Sequence, residues 1–485
     1  MAEVGELTLP LIPCWFARRS QYGSRQMSKI HQDSPNHAVV VGGSIAGLCA
    51  ARVLADHFDH VTLYERDELP DQPVNRNAIP QGQHVHLLMA RGAQELDGLF
   101  PGLLHDMADS GVPVIRNRHD LIHFDAAGHI LETGLDDKYT AYVPSRGHLE
   151  WQIRKRVSAM PGIEIAQRVV AHAQYDPATE RVTGVVLDDG DVVPADLVVD
   201  ASGRASRLPA WLQQWGFERP REDSVQVGVT YASHRVKIPD GMMSQKMVIV
   251  GATRNRPFGM GMLLHEDGIW MVTAFGVAKA EPPRDFAGIC ALADEVLPAE
   301  ISAALRAGMP VGEMNFHRYP TSKWRRYERI RRFPTGIVPF GDAIASFNPT
   351  FGQGVTMAAL QAVNLRRALA GGKDNLAWRL AFRNAKTIWP VWMMNGAADH
   401  TEHGAQGDRP WWYRPAYELF SQFVAAAETD PFVAEWFLSR TSLIDSLYLV
   451  PPPRLIGRAI RTNVKLWLAE RKRGESEVDM LNTAA

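Results

Sequence analysis

The segment from His37 to Leu69 constrains the fold more than any other part of the chain. It starts with a β-branched run, Val39–Val41, passes through a glycine-rich turn and reaches a second apolar run at Val61. Between the two runs, apolar residues recur at helical spacing: Ile45, Leu48, Ala51, Val53 and Leu54. This order predicts a βαβ unit, because parallel strands need a crossover connection, usually a helix. We therefore expect an α/β protein with a parallel sheet.

The turn of this unit has the residues that a dinucleotide requires. It matches GxGxxG at Gly42, Ser44 and Gly47, with serine at the middle position, and Glu65 ends the second strand 23 residues after Gly42. Glycines allow a tight turn and a close approach of the backbone to a pyrophosphate, and the carboxylate can bind a ribose. A glycine turn alone is also common for packing reasons, but the strand, helix and glutamate together favour dinucleotide binding.

Two later segments have a similar character. Residues 180–212 predict a hairpin with an Asp-Gly turn, followed by a buried strand that leads into Asp200-Ala-Ser-Gly-Arg. Residues 336–369 predict a strand, the pair Gly341-Asp342, a Pro/Gly loop and a helix that begins near Gly354. Asp342 alone could cap a helix, but its place after a strand and before a glycine-rich helix start favours binding of a ligand.

The overall composition excludes several classes of function. With 52 Lys+Arg against 54 Asp+Glu, the net charge is −2, so no global field attracts nucleic acid. Cys14, Cys49 and Cys290 form no zinc or disulfide pattern, which favours a reducing, cytoplasmic compartment. The longest uncharged stretches are broken by glycine, proline and polar residues, so we expect no transmembrane helix. We expect residues 1–36 to form a disordered extension, with Met27 as an alternative start.

The three glycine motifs, about 160 and then 140 residues apart, resemble those of the flavin-dependent monooxygenases of the single-component aromatic hydroxylase and epoxidase superfamily. The resemblance covers roughly residues 37–370 and implies FAD in the amino-terminal site. It assigns Gly42, Ser44 and Gly47 to the pyrophosphate, Glu65 to the adenosine ribose, and Gly341 and Asp342 to the ribityl chain. It also implies FAD contacts from Arg66, Arg76 and Arg146, although such arginines are common on solvated surfaces.

Two departures from the family's pattern are informative. Ser202 stands in the Asp200–Gly203 fingerprint where the family has an acid, which lowers the importance expected of this middle segment. Ala345 stands where aromatic hydroxylases have histidine, and the last helix starts Gly354-Val-Thr356 instead of Gly-x-Asn. This start is similar to that of the squalene-epoxidase-like and polyether-epoxidase branch. The Trp-x-Trp-x-Ile-Pro segment of flavin-dependent halogenases is absent, which disfavours halogenation.

The resemblance implies an α/β architecture with a Rossmann-like FAD-binding domain, an inserted, largely antiparallel β-sheet substrate domain and a helical C-terminal region. We place the FAD-binding domain at 37–218, with sheet crossings near 114–140, and at 319–372. The substrate domain is expected at 219–318 and the helical region at 373–485. Strand-like runs near 225–231, 246–250 and 269–275 independently predict the inserted sheet.

The resemblance also implies the activity. We expect an NAD(P)H-dependent monooxygenase that uses dioxygen to epoxidise or hydroxylate a lipophilic polyketide, terpenoid or quinone-type molecule through a flavin hydroperoxide. The predicted catalytic positions are Pro349, Gly352, Gly354 and Thr356, because this loop narrows the approach and the following helix directs its positive end at the flavin. A single dinucleotide motif means that NADPH or NADH docks transiently. Two alternatives stay open: a reductase or dehydrogenase of prenyl-type double bonds, and a non-catalytic flavin-bound interaction protein.

Two side-chain groups each have two interpretations. His84 and His86 share one face of a predicted strand, but no third ligand is visible, so we predict no metal site. Methionines of the predicted sheet domain could line an adaptable apolar pocket or be ordinary core residues: Met242, Met243, Met247, Met260, Met262 and Met271. Within this region, Phe258, Met260 and Met262 alternate and could share a pocket-facing side.

Residues 454–474 predict a basic amphipathic helix. Ile456, Ile460, Val464 and Trp467 fall on one stripe, surrounded by arginine and lysine. The stripe could pack on the protein's own helices, which is the commoner arrangement. Alternatively, it could rest on an anionic membrane as a peripheral contact and give access to a lipophilic substrate.

Overall fold

The computed structural model describes residues 36–76, 79–116, 121–126, 128–131, 139–407, 409–448 and 450–483. The extension predicted at 1–36 lies outside the described residues, apart from Asn36.

Strands and helices alternate in the amino-terminal half of the described chain, and helices dominate the carboxyl-terminal part. The strands are β1 His37–Val41, β2 His60–Glu65, β3 Val114–Ile115, β4 Ile122–Ala126, β5 His129–Ile130, β6 Ala141–Tyr142, β7 Ile163–Gln167, β8 Val170–Asp176, β9 Arg181–Leu187, β10 Val192–Pro194, β11 Leu197–Asp200, β12 Glu222–Lys237, β13 Met247–Val250, β14 Phe258–Leu264, β15 Trp270–Gly276, β16 Met309–Arg325, β17 Ile337–Pro339 and β18 Ala345–Ser346. The α-helices are α1 Ile45–Leu54, α2 Ala90–Leu99, α3 Leu103–Asp109, α4 Arg146–Ser158, α5 Leu208–Gln214, α6 Phe286–Val296, α7 Ala299–Arg306, α8 Gly354–Leu369, α9 Leu376–Thr401, α10 Tyr413–Ala427, α11 Pro431–Thr441 and α12 Pro453–Thr483.

A five-stranded parallel sheet in the order β17-β11-β1-β2-β7 carries the glycine turn. Ala38, Val39 and Val40 of the central strand β1 are fully buried, as expected of a parallel strand covered on both faces. Because side chains alternate along a strand, Ala38 and Val40 join the core around α1, whereas Val39 joins the core around β9. The predicted βαβ unit and Rossmann-like sheet are confirmed, and α1 packs against both α4 and α8.

The second region predicted as strand and hairpin also forms as expected. β9 and β10 pair antiparallel around a turn that contains Gly190 at φ +93°, and β8 completes a three-stranded sheet in the order β10-β9-β8. The positive φ requires glycine there. β11 then runs parallel to β1 and ends at Asp200, so the middle motif lies at the same edge as the glycine turn.

A larger sheet in the order β18-β16-β12-β15-β14-β13-β4-β5 is antiparallel except where β13 runs parallel to β4. This confirms the largely antiparallel inserted sheet. β4, β5 and β18 come from outside 219–318 and were not predicted as part of it. On one face of the sheet, α6 and α7 cover a core that includes Val272 and Ile289.

The helical region continues from α8, which packs against α9. α10 packs in turn against α9, α11 and α12. Among the described residues, no helix combines the length and the apolar character needed to cross a bilayer.

Candidate active site

The glycine turn after β1 is too tightly packed for larger residues. Gly42 has φ +107° and donates its N–H to Tyr64 O at 2.8 Å. A Cβ on Gly47 would lie 1.8 Å from Gly42 O, and a Cβ on Gly43 would lie 2.9 Å from Glu65 Cβ. Glycine is therefore required for α1 to start directly behind β1, with its amino terminus at the edge of the sheet.

The first turn of α1 keeps its backbone donors available. Ser44 is the N-cap residue, but its side chain makes no capping hydrogen bond and the first turn contains no acidic residue. Instead, Ser44 Oγ accepts a hydrogen bond from Arg146 Nη2 at 2.9 Å. Since uncapped N–H groups and the helix dipole favour an anion, this helix terminus can bind a phosphate.

A buried ionic network surrounds this helix terminus. Arg76 Nη1 lies 3.2 Å from Glu65 Oε2, and Arg76 Nε donates to Glu150 Oε1 at 2.8 Å. Arg146 Nη1 lies 2.9 Å from Glu150 Oε2. Glu65 Oε2 also accepts the N–H of Gly43 at 2.8 Å, which ties the end of β2 to the glycine turn. The predicted residues Glu65, Arg76 and Arg146 therefore converge, and Glu150 joins them.

Sequence reasoning missed Glu150, although its spacing of four residues from Arg146 on a predicted helix was a usable signal. Burial alone would raise the pKa of Glu150, but Arg146 and Arg76 together lower it. Burial would lower the pKa of Arg76, but Glu150 and Glu65 raise it. Arg76 Nη2 is buried without a hydrogen-bond partner, so the network retains an unused donor.

Arg66, also predicted as an FAD contact, lies apart from this network. Its side chain is 68% exposed at the end of β2, and its nearest acid is Asp67 at 3.7 Å. A contact from Arg66 to FAD stays a prediction.

Gly341 and Asp342 bring the last motif against the first. Gly341 has φ +64°, its N–H donates to Gln361 Oε1 at 2.8 Å, and a Cβ there would lie 2.8 Å from Ala46 Cβ of α1. Burial raises the pKa of Asp342 to about 6, although Arg204, Arg146 and Arg325 each lower it. None of the described residues donates a hydrogen bond to the Asp342 carboxylate, which is free to accept one from a ligand hydroxyl.

The middle motif has an internal structural role. Asp200 is buried at the end of β11, where its Oδ1 accepts the N–H of Ser202 at 3.1 Å and its Oδ2 accepts the Ser206 hydroxyl. Asp200 thus holds its own turn. Arg204, which follows this turn, contributes positive charge near Asp342.

The loop before α8 contains the predicted catalytic positions. Pro349–Phe351 form one 3₁₀ turn, Gly352 has φ +66°, and a Cβ on Gly354 would meet no atom within 4 Å, so the start of α8 is open. Thr356 is different: it is fully buried, and a Cβ on Gly92 of α2 would lie 2.5 Å from its Oγ1. The structure therefore gives Thr356 a packing contact, and its catalytic role stays a prediction.

A cavity of about 500 Å³ lies between the larger sheet and helices α9–α11. Its walls include Met247 and Phe275 from the sheet and Met393, Phe420 and Phe437 from the helices. Pro349, Gly352 and Gln353 of the loop before α8 also line it. The cavity therefore meets the open helix start and is mostly apolar, as substrate sites commonly are.

The methionine prediction is confirmed only in part. Met247 and Met260 border the cavity, but Met262 does not. Met260 and Met262 are buried in the core beneath α6 and α7, and Phe258 packs partly buried against that core. The expectation that Phe258, Met260 and Met262 share one pocket-facing side was therefore wrong, because all three pack in or against the core beneath α6 and α7 and only Met260 also borders the cavity.

His84 and His86 form no paired site. His84 Nδ1 lies 2.7 Å from Ser233 Oγ, and burial with the neighbouring His317 lowers the pKa of His84 to about 4. Burial and the charge of Arg146 lower the pKa of His86 to about 3. Both rings are therefore neutral near pH 7. Within the described ranges, no group of three or more His, Cys, Asp or Glu side chains could hold a metal ion.

Comparisons with known proteins agree with this geometry. Residues 407–473 match the family model "Mycobacterium Rv3254 C-terminal domain", and residues 123–222 match the model "Tryptophan halogenase". The chain is 55% identical over 453 residues to Protein Rv3254 of Mycobacterium tuberculosis, a match that covers 90% of this chain and 96% of that protein. It is 27% identical over 367 residues to kynurenine 3-monooxygenase of Salinispora arenicola, covering 72% of this chain and 75% of that enzyme.

The fold has a solved counterpart in the flavin-dependent brominase Bmp2. The superposition has a TM-score of 0.61 at 15% identity and covers 90% of this chain and 100% of the brominase chain. At this identity, the likeness describes the fold alone.

The described residues fit FAD on observations of the site itself. The glycine turn has no room for a Cβ, the start of α1 offers uncapped N–H donors, and the carboxylates of Glu65 and Asp342 can accept ribose and ribityl hydroxyls. With this site, the Rossmann-like sheet and these relatives, the chain belongs to the FAD-dependent monooxygenase superfamily.

Proposed function

We propose that this flavoenzyme uses NAD(P)H and dioxygen to insert one oxygen atom into a lipophilic small molecule of polyketide, terpenoid or quinone type. The observation that carries the proposal is the mostly apolar cavity of about 500 Å³ that ends at the loop before α8. Bound FAD would supply hydride acceptance and oxygen activation. The halogenase segment Trp-x-Trp-x-Ile-Pro is absent from the sequence, which favours oxygenation over halogenation.

The chain's own residues would contribute binding, orientation and exclusion of water. The uncapped start of α1 would hold the pyrophosphate, Glu65 the ribose and Asp342 the ribityl chain. The open start of α8 would place a positive helix terminus beside developing negative charge. The apolar cavity walls would keep water from the reacting atoms.

Oxygen use separates this reaction from the alternative, reduction or dehydrogenation of a prenyl-type double bond. We expect slow NAD(P)H oxidation without substrate, with hydrogen peroxide as the product, because oxygen activated in an empty site has no acceptor. A true substrate should accelerate NAD(P)H oxidation and lower the peroxide yield. The measurement combines an oxygen electrode, a peroxide assay and mass spectrometry of products in ¹⁸O₂. Turnover that is equally fast without oxygen would show a reductase or dehydrogenase instead.

We further propose that α12 gives this cytoplasmic enzyme a peripheral contact with anionic membranes. α12 packs on its own domain through Leu455 and Ala459, which are buried, and not through the predicted apolar stripe. Ile460 and Trp467 of that stripe are 60% and 56% exposed. Arg471 of the same helix lies over the Trp467 ring, but much of the stripe faces solvent, which supports a membrane contact over docking on the protein's own helices.

The basic residues around the stripe favour an anionic bilayer as the surface that binds α12. Arg454, Arg461 and Lys465 are exposed near the stripe, and each basic residue near such a surface contributes about 1 kcal/mol. The helices α10 and α11, on which α12 packs, also line the substrate cavity. A membrane contact here would bring the cavity close to a source of lipophilic substrate.

Co-sedimentation with vesicles tests this contact. The intact chain should bind vesicles containing phosphatidylserine and should be released by high salt, since salt screens the attraction. The double variant Ile460→Ser/Trp467→Ser should bind at least about tenfold more weakly, because two apolar anchors are lost. A matched control is Trp378→Ser/Phe382→Ser, an exposed stacked pair on α9. Equal binding by the α12 variant and the wild type would disprove the assignment.

A further inference from the structure

A histidine and an aspartate form a hydrogen-bonded pair in the wall of the substrate cavity. His403 Nδ1 lies 3.1 Å from Asp399 Oδ1, and the side chains are 10% and 2% exposed. Because a carboxylate accepts, the imidazole carries its proton on Nδ1, and Nε2 is left as the acceptor. Among the described residues, none bonds to Nε2, and His403 lines the cavity.

The pair is anchored to the loop that precedes α8. Asn348 is fully buried and donates its Nδ2–H to Asp399 Oδ1 at 2.7 Å, while its Oδ1 accepts the N–H of Thr350 at 3.1 Å. Phe351 stacks on the His403 ring with the centroids 5.9 Å apart. Asp399 therefore fixes one edge of the imidazole and Phe351 covers one face. Together they hold the ring in a fixed position relative to the predicted catalytic loop.

The charge of the cavity restricts what the imidazole can meet. None of the described lining residues is lysine or arginine, so an anionic substrate would find no counter-charge there. The titratable lining side chains besides His403 are Glu402 beside it, Tyr231 of β12, Tyr417 of α10 and Asp125 of β4. Asp125 is paired with Arg256 at 3.1 Å. Glu402 accepts the backbone N–H of Arg254 at 3.0 Å. A neutral group that can lose a proton fits this wall better than a carboxylate.

We propose that His403 is a catalytic base that binds and deprotonates a phenolic or enolic hydroxyl of an otherwise apolar substrate, with Asp399 as its positioning residue. This inference rests on the proposed oxygenation and narrows its substrate class. The substrate O–H bond breaks, the proton forms an N–H bond at Nε2, and the electron pair stays on oxygen. Asp399 stabilises the resulting imidazolium. Ionisation enriches the ortho and para carbons of a phenol, or the β-carbon of an enol, in electrons, as attack on an electrophilic oxygen requires. Hydroxylation next to an ionised oxygen is then favoured over epoxidation of an isolated double bond.

The test uses the oxidised holoenzyme without NAD(P)H, so that no turnover occurs. The probes are 4-nitrophenol, whose ionisation changes its absorbance, and 4-nitroanisole, which has no proton to lose. The wild type should bind the phenol more tightly than the ether and lower its apparent pKa by about one unit or more. His403→Gln should abolish this shift and leave binding of the ether within about twofold of the wild type. Asp399→Asn should reduce the shift, because it no longer stabilises the imidazolium.

The matched control is His400→Gln. His400 is also buried on this segment, but it bonds to Ala405 O and does not line the cavity. This variant should keep the shift, which separates the role of His403 from general damage to the fold. An unchanged shift in His403→Gln, no uptake of the phenol, or equal affinity for phenol and ether in the wild type would each overturn the proposal. These readouts need no flavin reduction, so they stay interpretable even if the oxygen-uptake experiment disproves the monooxygenase reaction.

Discussion

Replacing Asp342 with asparagine is expected to weaken FAD binding and, at the same time, to stabilise the flavin-free protein. Asparagine keeps the shape of the side chain but removes its charge. Loss of a charge-assisted hydrogen bond to a ribityl hydroxyl costs about 1.5–3 kcal/mol, so FAD should bind about 10- to 150-fold more weakly. Fluorescence titration of flavin-free protein with FAD measures this change directly.

The stability effect has a defined pH dependence. Burial raises the pKa of Asp342 to about 6, so the folded protein retains a proton that the unfolded chain has already lost. The contribution of Asp342 to the free energy of unfolding therefore falls as pH rises from about 4 to about 6. Above that range, the ionised Asp342 carboxylate continues to destabilise the folded protein. At about 1.4 kcal/mol per pKa unit, the asparagine variant should be about 1–3 kcal/mol more stable at pH 8 and nearly equal to the wild type at pH 4.

Urea unfolding of the flavin-free proteins at both pH values measures the difference. Asp240→Asn is the control, because Asp240 is exposed and should change neither stability nor FAD affinity. If Asp342→Asn matched the wild type at pH 8 and bound FAD equally well, the ribityl role of Asp342 would be wrong. A substitution that stabilises the protein but weakens ligand binding is typical of functional sites that keep a buried charge.

Replacing Glu150 with glutamine is expected to destabilise the protein by about 3–5 kcal/mol, because it leaves the buried charges of Arg76 and Arg146 without their carboxylate. Glutamine preserves the size of the side chain, so a packing defect does not account for a loss of this size. The FAD content of the purified variant should also fall, since Arg146 loses the partner that holds it beside Ser44.

The pH dependence of this loss has the opposite sign to that of Asp342. Arg146 and Arg76 outweigh burial and lower the pKa of Glu150, so its stabilising contribution is present above the ordinary glutamate pKa and is lost as pH falls through the lowered value. The difference in the free energy of unfolding between the wild type and Glu150→Gln should therefore become smaller in acid.

A matched control is Glu418→Gln, which removes one partner of an exposed pair with Arg414 at 2.7 Å. Exposed pairs of this type contribute about 0.3–0.5 kcal/mol. Urea unfolding at pH 7 compares the variants through their midpoints, with slopes checked for equality. A change below about 1 kcal/mol for Glu150→Gln would contradict the structural importance of the network.

The elements that could be predicted are those whose signal is local. The βαβ unit, the hairpin before β11 and the helix at Gly354 formed as predicted, because hydrophobic period and turn residues act over a few neighbours. Glu65 and Gly341 could be assigned to the site because Glu65 ends one strand of the parallel sheet and Gly341 follows another, and such strands end at the same edge.

The elements that could not be predicted depend on distant packing. β4 and β5 were not recognised as part of the larger sheet, because only pairing with β13 places them there. Thr356 matched a family position, yet the close approach of Gly92 determines what its hydroxyl meets. The apolar stripe of α12 was identified correctly, but its exposure could not be, since a helix rotated to bury Leu455 and Ala459 leaves Ile460 outside.

The sequence by itself determined the cofactor domain, because a glycine turn, a crossover helix and a terminal glutamate have one physical solution that brings them together. Only the tertiary structure decided which charged side chains pair with each other and which residues meet at the cavity. Glu150 joins Arg76 from 74 residues away, and Asp399 links His403 to Asn348 of the loop before α8. Such contacts form only when the whole chain folds. A buried charge must be compensated by a group that lies beside it in space, whatever that group's position in the sequence.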